Sequence, residues 1–499
     1  MWVIPVLLGA GLWMLAAFAR ARLVPYAVVG SDSLGPYLSA WSLGSGVWPH
    51  PPNPESGDAL WWMAWPLVRL ATSLEALLQL RAGVGGVVAP LGVAAVWMLC
   101  RDRGLASRSL AAATAGLWLA LEPGLLDTFV SGARSYGAPE LAAAMTLGLC
   151  AASWGHRWGL VLAVVTGVWA VDHHPIAGGL LLGSLSLVPW LRSRIDVRAL
   201  GWLALLAGLV ALPRALRLVE LAGCGQGVMA CLGGVAQSNV DGTESLGADL
   251  VRAVHDRFAV DLGWPWVGLA LGLLLALWPD RTASESSRMR RVLATWAIAV
   301  TVGCLLVGGG VSYVRSYHLR IVAAPLVVAS VAGWTRLGPA SVLLGAWVAL
   351  SWGQWSPPGE PGLAPGRTDR VAARLEHLTS PVWVDRVWWT GAPRLDASGV
   401  VLSAVLQGQD PLHFRTTPDA SFILLSVGEP STHPGMPVSH WGAEVLSAGD
   451  DWRVLRFSDS DAARQWVDAR QSVPVNRGGA YDWAVVLDPE GATSEQTRW

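Results

Sequence analysis

The chain has 499 residues, 53% of them hydrophobic and 14% charged, and a formal net charge of -1. A mean hydropathy of +0.43 is too high for a soluble enzyme and fits a multi-span membrane protein. The charge balance excludes a polycation built for nucleic acid. All 35 basic residues are Arg, and the wealth of Ala, Gly, Leu, Val and Trp suggests a GC-rich, bacterial genome. The 30 Trp outnumber 6 Tyr and 6 Phe, as expected where amphipathic rings line membrane interfaces.

The first apolar run has no basic start, and Arg20 and Arg22 follow it, so it is expected to stay as a first span rather than leave as a signal peptide. Apolar length places eleven spans at about 2–19, 84–100, 109–121, 139–155, 158–171, 176–190, 199–213, 264–278, 292–309, 321–334 and 340–353. The fifth and sixth are short, and the alternative is a hairpin that does not fully cross; removing both leaves the parity of the rest unchanged. One set of loops carries twelve Arg in 37 residues; the other, which includes 20–83 and 214–263, carries eleven in 146. The positive-inside rule puts the first set in the cytoplasm. The N-terminus is then inside, and everything after the last span is outside.

Cys100, Cys150 and Cys304 fall in or at the ends of spans and read as small core residues. Cys224 and Cys231 lie in an outside loop, "AGCGQGVMACLG", where an oxidising exterior favours a disulfide; two unpaired thiols are the alternative. The domain plan is a membrane region over 1–355, a Pro/Gly linker over 356–366, an external α/β domain over 367–470 and an irregular tail over 471–499. In the α/β domain, "DRVAARLEHL" and "SDAARQWVDAR" read as helices. "PVWVDRVWW", "GVVLSAVL", "SFILLSV" and "WRVLRFS" read as strands. The fold class is therefore mostly α, a polytopic helix bundle with a small external α/β domain.

Polar residues collect on the outside. The groups are Asp32 in "GSDSLGPY"; Glu122, Asp127, Arg134, Tyr136 and Glu140; Asp172, His173 and His174; and Arg315, Tyr317, His318 and Arg320. Ionisable residues at span ends that face a bundle interior mark a substrate path or a catalytic site. Each group also has a structural reading. Asp32 caps a helix, Glu122-Pro123-Gly124 ends one, the His pair caps a short loop, and Arg315 and Arg320 anchor lipid phosphates. Adjacent His residues rarely ligate one ion without further partners, so no metal is expected.

These residues resemble the GT-C superfamily of integral-membrane glycosyltransferases, and within it the lipid-A aminoarabinose transferases and protein O-mannosyltransferases. The likeness covers about 350 residues. "SDSLGPYLSAWSLG…GDALWWMAWPL" follows the order of the family's first external loop: a catalytic acid, an interfacial helix, then a Pro-Leu segment. Asp32 takes the acid position, and Tyr37 and Trp41 lie in the helix. "RSYHLRIVAAPL" is similar to the family's Arg/Tyr-rich segment before a Pro-containing span, here with Pro325. The resemblance implies transfer of a sugar from a polyprenyl-phosphate donor to a lipid, glycan or protein acceptor, with inversion, in a bacterial inner membrane and without an obligatory cofactor. Asp32 would be the general base. The sequence departs from the family in two places: Ser33 replaces the second acid, and the donor-phosphate Lys is absent. Arg69, Arg134, Arg315 and Arg320 are the cations available on that side to replace the Lys, since a guanidinium binds phosphate through two parallel hydrogen bonds, and Arg315 or Arg320 is the preferred phosphate partner. A transporter and a non-catalytic scaffold are the competing classes. Against the first, no inverted repeat is visible.

Overall fold

The computed structural model describes residues 3–27, 37, 40–41, 58–131, 137–173, 175–192, 196–222, 246–263, 265–279, 284–310, 316–351, 365–376, 382–384, 397–409, 414–415, 423–427, 443–448, 452–459 and 461–462. Their contacts divide the chain into two units: 1–23, 55–60 and 81–357 in one, and 24–54, 61–80 and 358–499 in the other.

The first unit is a helix bundle. Its main helices are α1 (Val3–Ala21), the end of α3 (Leu74–Gly85), α4 (Val88–Leu99), α5 (Leu105–Leu121), α6 (Pro123–Ser131), α7 (Ala138–Ser153), α8 (Arg157–His173) and α9 (Gly178–Ser184). The bundle continues with α10 (Val197–Ala222), α11 (Leu246–His255), α12 (Trp266–Leu277), α13 (Glu285–Gly310), α14 (Ala323–Trp334) and α15 (Pro339–Ser351). Its outer surface shows Leu7, Phe18, Leu209, Leu274 and Leu306. Lipid is as apolar as such side chains, so helix association must come from close packing and polar bonds. Glycines supply the close approach. A Cβ at Gly148 or Gly159 would strike the facing backbone where α7 crosses α8, and one at Gly179 or Gly183 would strike α13 at Cys304 or Val300. Among the described residues α14 and α7 are the most completely buried helices of the bundle and form the centre.

Among the described residues, Val3–Tyr26, Leu74–Leu99, Leu105–Asp127 and Glu285–Gly308 are long and apolar enough to cross a membrane. The pair Leu250–Asp261 and Trp266–Leu277, bent by 103°, makes a fifth if taken as one span. The sequence expectation for 84–100 starts too late: helix and apolar character begin at Leu74. Arg81 hid that start, since a cation depresses local hydropathy even where an ion pair neutralises it. The expected span at 176–190 is broken into α9, two 3-10 turns and Val188–Arg192. There Ser184 and Ser186 donate their hydroxyls to the carbonyls of Leu180 and Gly183.

Arginines at the opposite helix ends act as tethers. Arg108 donates to the Trp97 carbonyl at 2.6 Å and stacks on its ring. Arg336 binds the carbonyls of Leu275, Trp278 and Pro279 that end α12. Arg290 pairs with Asp102 at 3.4 Å.

In the second unit, α2 (Asp58–Leu70, from Trp61 on) and the start of α3 join α16 (Pro365–Leu375), α17 (Ala397–Leu406) and a sheet. The strands are β1 (Val382–Val384), β2 (Phe414–Arg415), β3 (Ile423–Val427), β4 (Ala443–Ala448) and β5 (Trp452–Phe457), in the order β2-β1-β3-β5-β4. β1 is parallel to both its neighbours, with Val382 opposite Phe414 and Ile423; β5 is antiparallel to β3 and β4. One strand expectation fails. "GVVLSAVL" is the helix α17, with Val400, Val401, Leu402 and Val405 buried. A short apolar run cannot separate a buried strand from a buried helix. The C-terminal signal decides it: Gly408 takes φ +90, its N–H reaches the Val405 carbonyl, and that of Gln409 reaches Ala404. Of the helix expected at "SDAARQWVDAR", only Asp461 and Ala462 fall among the described helical residues.

Candidate functional site

α5 ends at Glu122, and Pro123 starts α6 at once. The Glu122 carboxylate turns back to accept the N–H groups of Gly124 at 3.0 Å and Leu125 at 2.8 Å, capping α6. The same carboxylate takes Nη1 of Arg257 at 2.8 Å, and both side chains are only 1% exposed. A charge buried so deeply survives only when paired and hydrogen-bonded. Gly124 makes room for the pair: a Cβ there would overlap the Arg257 guanidinium and meet Glu122.

The pairing continues. Arg257 stands on the π-helical turn Asp256–Asp261 and reaches Asp261 Oδ2 at 3.6 Å. Arg320, near the end of the 3-10 turn Ser316–Val322, meets the same Asp261 oxygen at 3.5 Å and Asp127 Oδ2 at 2.6 Å. Glu122, Arg257, Asp261, Arg320 and Asp127 thus form an alternating chain that begins and ends at α6.

Beside it lies a recess lined by Arg20, Arg81, Gly85, Val88, Leu125, Phe129, Pro139 and Glu140. Arg20, in the last turn of α1, donates to the carbonyls of Ala16 and Ala120. Arg81 Nη1 meets Glu140 Oε1 at 2.9 Å. Glu140 sits in the first turn of α7, where the helix dipole favours an anion. Gly85 lets the two guanidinium groups approach, because a Cβ there would stand 3.2 Å from Arg20 Nε and 3.3 Å from Arg81 Nη1.

His173 ends α8 almost fully buried. Its Nδ1 donates to the Trp169 carbonyl at 3.1 Å, which leaves Nε2 as an acceptor. His173 Nε2 and Glu140 Oε2 are buried polar atoms with no hydrogen-bond partner among the described residues. Among the described residues no trio of His, Cys, Asp and Glu could hold a metal ion.

The structure therefore brings together Glu122, Asp127 and Arg320 of the residues singled out in the sequence. Glu122 plays both of its candidate parts at once, as helix terminus and as member of the cluster. Asp172 is half-buried beside His173. Arg69 belongs to the second unit, exposed near the end of α2 with its guanidinium 5.8 Å from the Trp65 ring centre. Tyr37 is buried in a helical turn of the second unit. Asp32, Arg134, Tyr136, His174, Arg315, Cys224 and Cys231 lie outside the described residues, as do the side chains of Tyr317 and His318.

Sequence reasoning missed Arg20, Arg81, Arg257 and Asp261, and noted Glu140 without choosing it. A signal existed for Arg81, a lone cation inside "LEALLQLRAGVGGVVAPLGV". Arg20 carried the same signal but was read as a flank. Nothing in "VHDRFAVD" marks Arg257, whose partner lies 135 residues away.

No protein-family model matches the chain, and neither does any curated protein. Solved structures do match, and they define the fold: a helix bundle together with an α/β unit, as in ArnT. The crystal structure of ArnT from Cupriavidus metallidurans bound to undecaprenyl phosphate superposes with a TM-score of 0.55 at 14% identity, covering 90% of this chain and 97% of that one. The same protein in its apo state gives 0.52 at 14% identity, covering 89% and 98%. The likeness is one of fold along nearly the whole of both chains.

Proposed function

We propose that the chain is a membrane glycosyltransferase that moves a sugar from a polyprenyl-phosphate donor to an acceptor on the extracytoplasmic side of a bacterial inner membrane. One observation carries the proposal: two buried arginines, Arg20 and Arg81, line an otherwise largely apolar recess in a bundle whose fold matches a protein that binds undecaprenyl phosphate. With Glu140 the ionised recess has a net charge of +1, matched to a singly charged phosphodiester flanked by hydrocarbon. This assignment moves the donor-phosphate role from Arg69, which is exposed, and from Arg320, which Asp127 and Asp261 already engage.

The chemistry follows from these charges. The acceptor oxygen attacks the anomeric carbon while the bond from that carbon to the phosphate oxygen breaks, so the anomeric centre inverts. Arg81 and Arg20 stabilise the negative charge that grows on the departing phosphate, as fixed cations aimed at developing charge do. Asp32 takes the acceptor proton. The Glu122–Arg257–Asp261–Arg320–Asp127 chain holds α6 and with it the Leu125 and Phe129 wall of the recess.

The test is transfer by purified protein in nanodiscs from a panel of polyprenyl-phosphate sugars to acceptor lipids and glycans. Asp32→Asn keeps size and capping ability but cannot accept a proton, so turnover should fall by about a hundredfold or more with normal folding. Near-wild-type turnover would return Asp32 to a cap. Retention of the lipid without transfer from any sugar in the panel would favour the scaffold.

A further inference from the structure

The recess of the helix bundle contains one carboxylate oxygen that nothing uses. Glu140 follows Pro139 in the first turn of α7, three residues after the N-cap Gly137. A glutamate at that place commonly turns back to the N-cap N–H. Glu140 does not. Its Oε1 accepts from Arg81 Nη1 at 2.9 Å, and its Oε2 has no hydrogen-bond partner among the described residues. The side chain is 9% exposed, and Oε2 itself is closed to solvent. A dry, unpaired charged acceptor is costly, so the position calls for a donor. The lining of the recess gives it none. Both hydrogen bonds of Arg20 leave from Nη1, to the carbonyls of Ala16 and Ala120. Gly85, Val88, Leu125, Phe129 and Pro139 have no side-chain donor.

We infer that Glu140 Oε2 is a specificity contact for the donor sugar, accepting a hydrogen bond from the hydroxyl on C2, the carbon next to the anomeric centre. The inference rests on the reading of the recess as the donor-phosphate site. Two arguments select that hydroxyl. The first is reach. Oε1 and Oε2 are neighbours on one carboxylate, and Oε1 holds the guanidinium that takes the phosphate. The sugar substituent that meets Oε2 is therefore one close to the phosphate. The second is charge. Arg20, Arg81 and Glu140 sum to +1, which a phosphodiester cancels. A neutral hydroxyl keeps that balance, whereas an ammonium would leave a positive charge buried without a partner. A hydrogen bond at this hydroxyl also strengthens as positive charge grows on the anomeric carbon, so the contact favours the transition state as well as the sugar.

The experiment uses the full chain in nanodiscs and reads binding. The probes are undecaprenyl phosphate, the sugar lipid retained best from a panel of undecaprenyl-phosphate pentoses and hexoses with a free C2 hydroxyl, and its counterparts carrying hydrogen or an amine at C2. Wild type should bind the hydroxyl sugar lipid about ten- to a hundredfold more tightly than the 2-deoxy counterpart, which leaves the carboxylate unpaired. Glu140→Gln keeps the size and an oxygen for Arg81 but removes the charge. It should narrow that gap by about tenfold, the difference between a charged and a neutral acceptor. It should also hold undecaprenyl phosphate at least as well as wild type, because the recess becomes more positive. The wild-type comparison needs no variant, so misfolding of Glu140→Gln would not shelter the inference. The contact is overturned if wild type binds the hydroxyl and 2-deoxy lipids alike, prefers the amine, or retains undecaprenyl phosphate but no sugar lipid. A gap that survives Glu140→Gln overturns it too, as does an equal loss of every lipid in that variant, which would reduce Glu140 to a support for Arg81. Each of these leaves the phosphate site standing. Absence of undecaprenyl phosphate binding by the wild type overturns both.

Discussion

Arg257→Met tests whether the buried charge chain holds this end of the bundle together. The substitution removes a guanidinium that is 1% exposed and leaves the Glu122 carboxylate, equally buried, with only the N–H groups of Gly124 and Leu125. Breaking a buried pair by deleting one partner costs about 3–5 kcal/mol. The two remaining donors on Glu122 place the expectation at the lower end, about 3 kcal/mol. The reverse deletion is milder. In Glu122→Gln the amide oxygen still accepts at the cap, and Arg257 keeps Asp261 at 3.6 Å. One charge-assisted bond is lost, a cost of about 1.5–3 kcal/mol. The double variant leaves no carboxylate without its cation, so its cost should be below the sum of the two by about 1–2 kcal/mol. Equilibrium unfolding of purified protein in mixed micelles reads all four corners of this cycle. A loss below about 1 kcal/mol for Arg257→Met, or strict additivity, would refute the reasoning that the pair is dry and coupled.

Gly124→Ala should destabilise by about 1–3 kcal/mol, read in the same unfolding assay, because its Cβ displaces the Arg257 guanidinium. Gly183→Ala should cost a similar amount by driving α9 off the α13 backbone at Val300, whereas Gly201→Ala, with open space around it, should not. Reporter fusions after Trp355 should be active only as exported enzymes; a cytoplasmic signal would invert the sidedness of the site. Cys224 and Cys231 should resist alkylation until reduced, and free labelling of the oxidised protein would remove the disulfide.

The helical, membrane-spanning character was legible because twenty apolar residues in a row have few other uses. So was the gathering of Glu122, Asp127 and Arg320, because charge at a span end is costly without a purpose. The partners were not legible. Arg257 meets Glu122 across 135 residues and Arg320 meets Asp127 across 193, and no local pattern encodes such pairs. Arg81 illustrates the opposite error. Hydropathy counted it as a loop residue, although an arginine paired with Glu140 at 2.9 Å sits readily in an apolar helix. Periodicity failed for α17 because its buried residues form a continuous run, and only the glycine at 408 carried the helical signal.

The central claim is that Arg81 and Arg20 hold the phosphate of a polyprenyl donor. It is tested most directly by undecaprenyl phosphate binding to the wild type, Arg81→Ala and Arg69→Ala, measured by native mass spectrometry from nanodiscs. Wild type and Arg69→Ala should retain the lipid alike, while Arg81→Ala loses affinity by about tenfold or more, the loss of one charge-assisted contact. Equal retention by all three proteins, or loss only in Arg69→Ala, would contradict it.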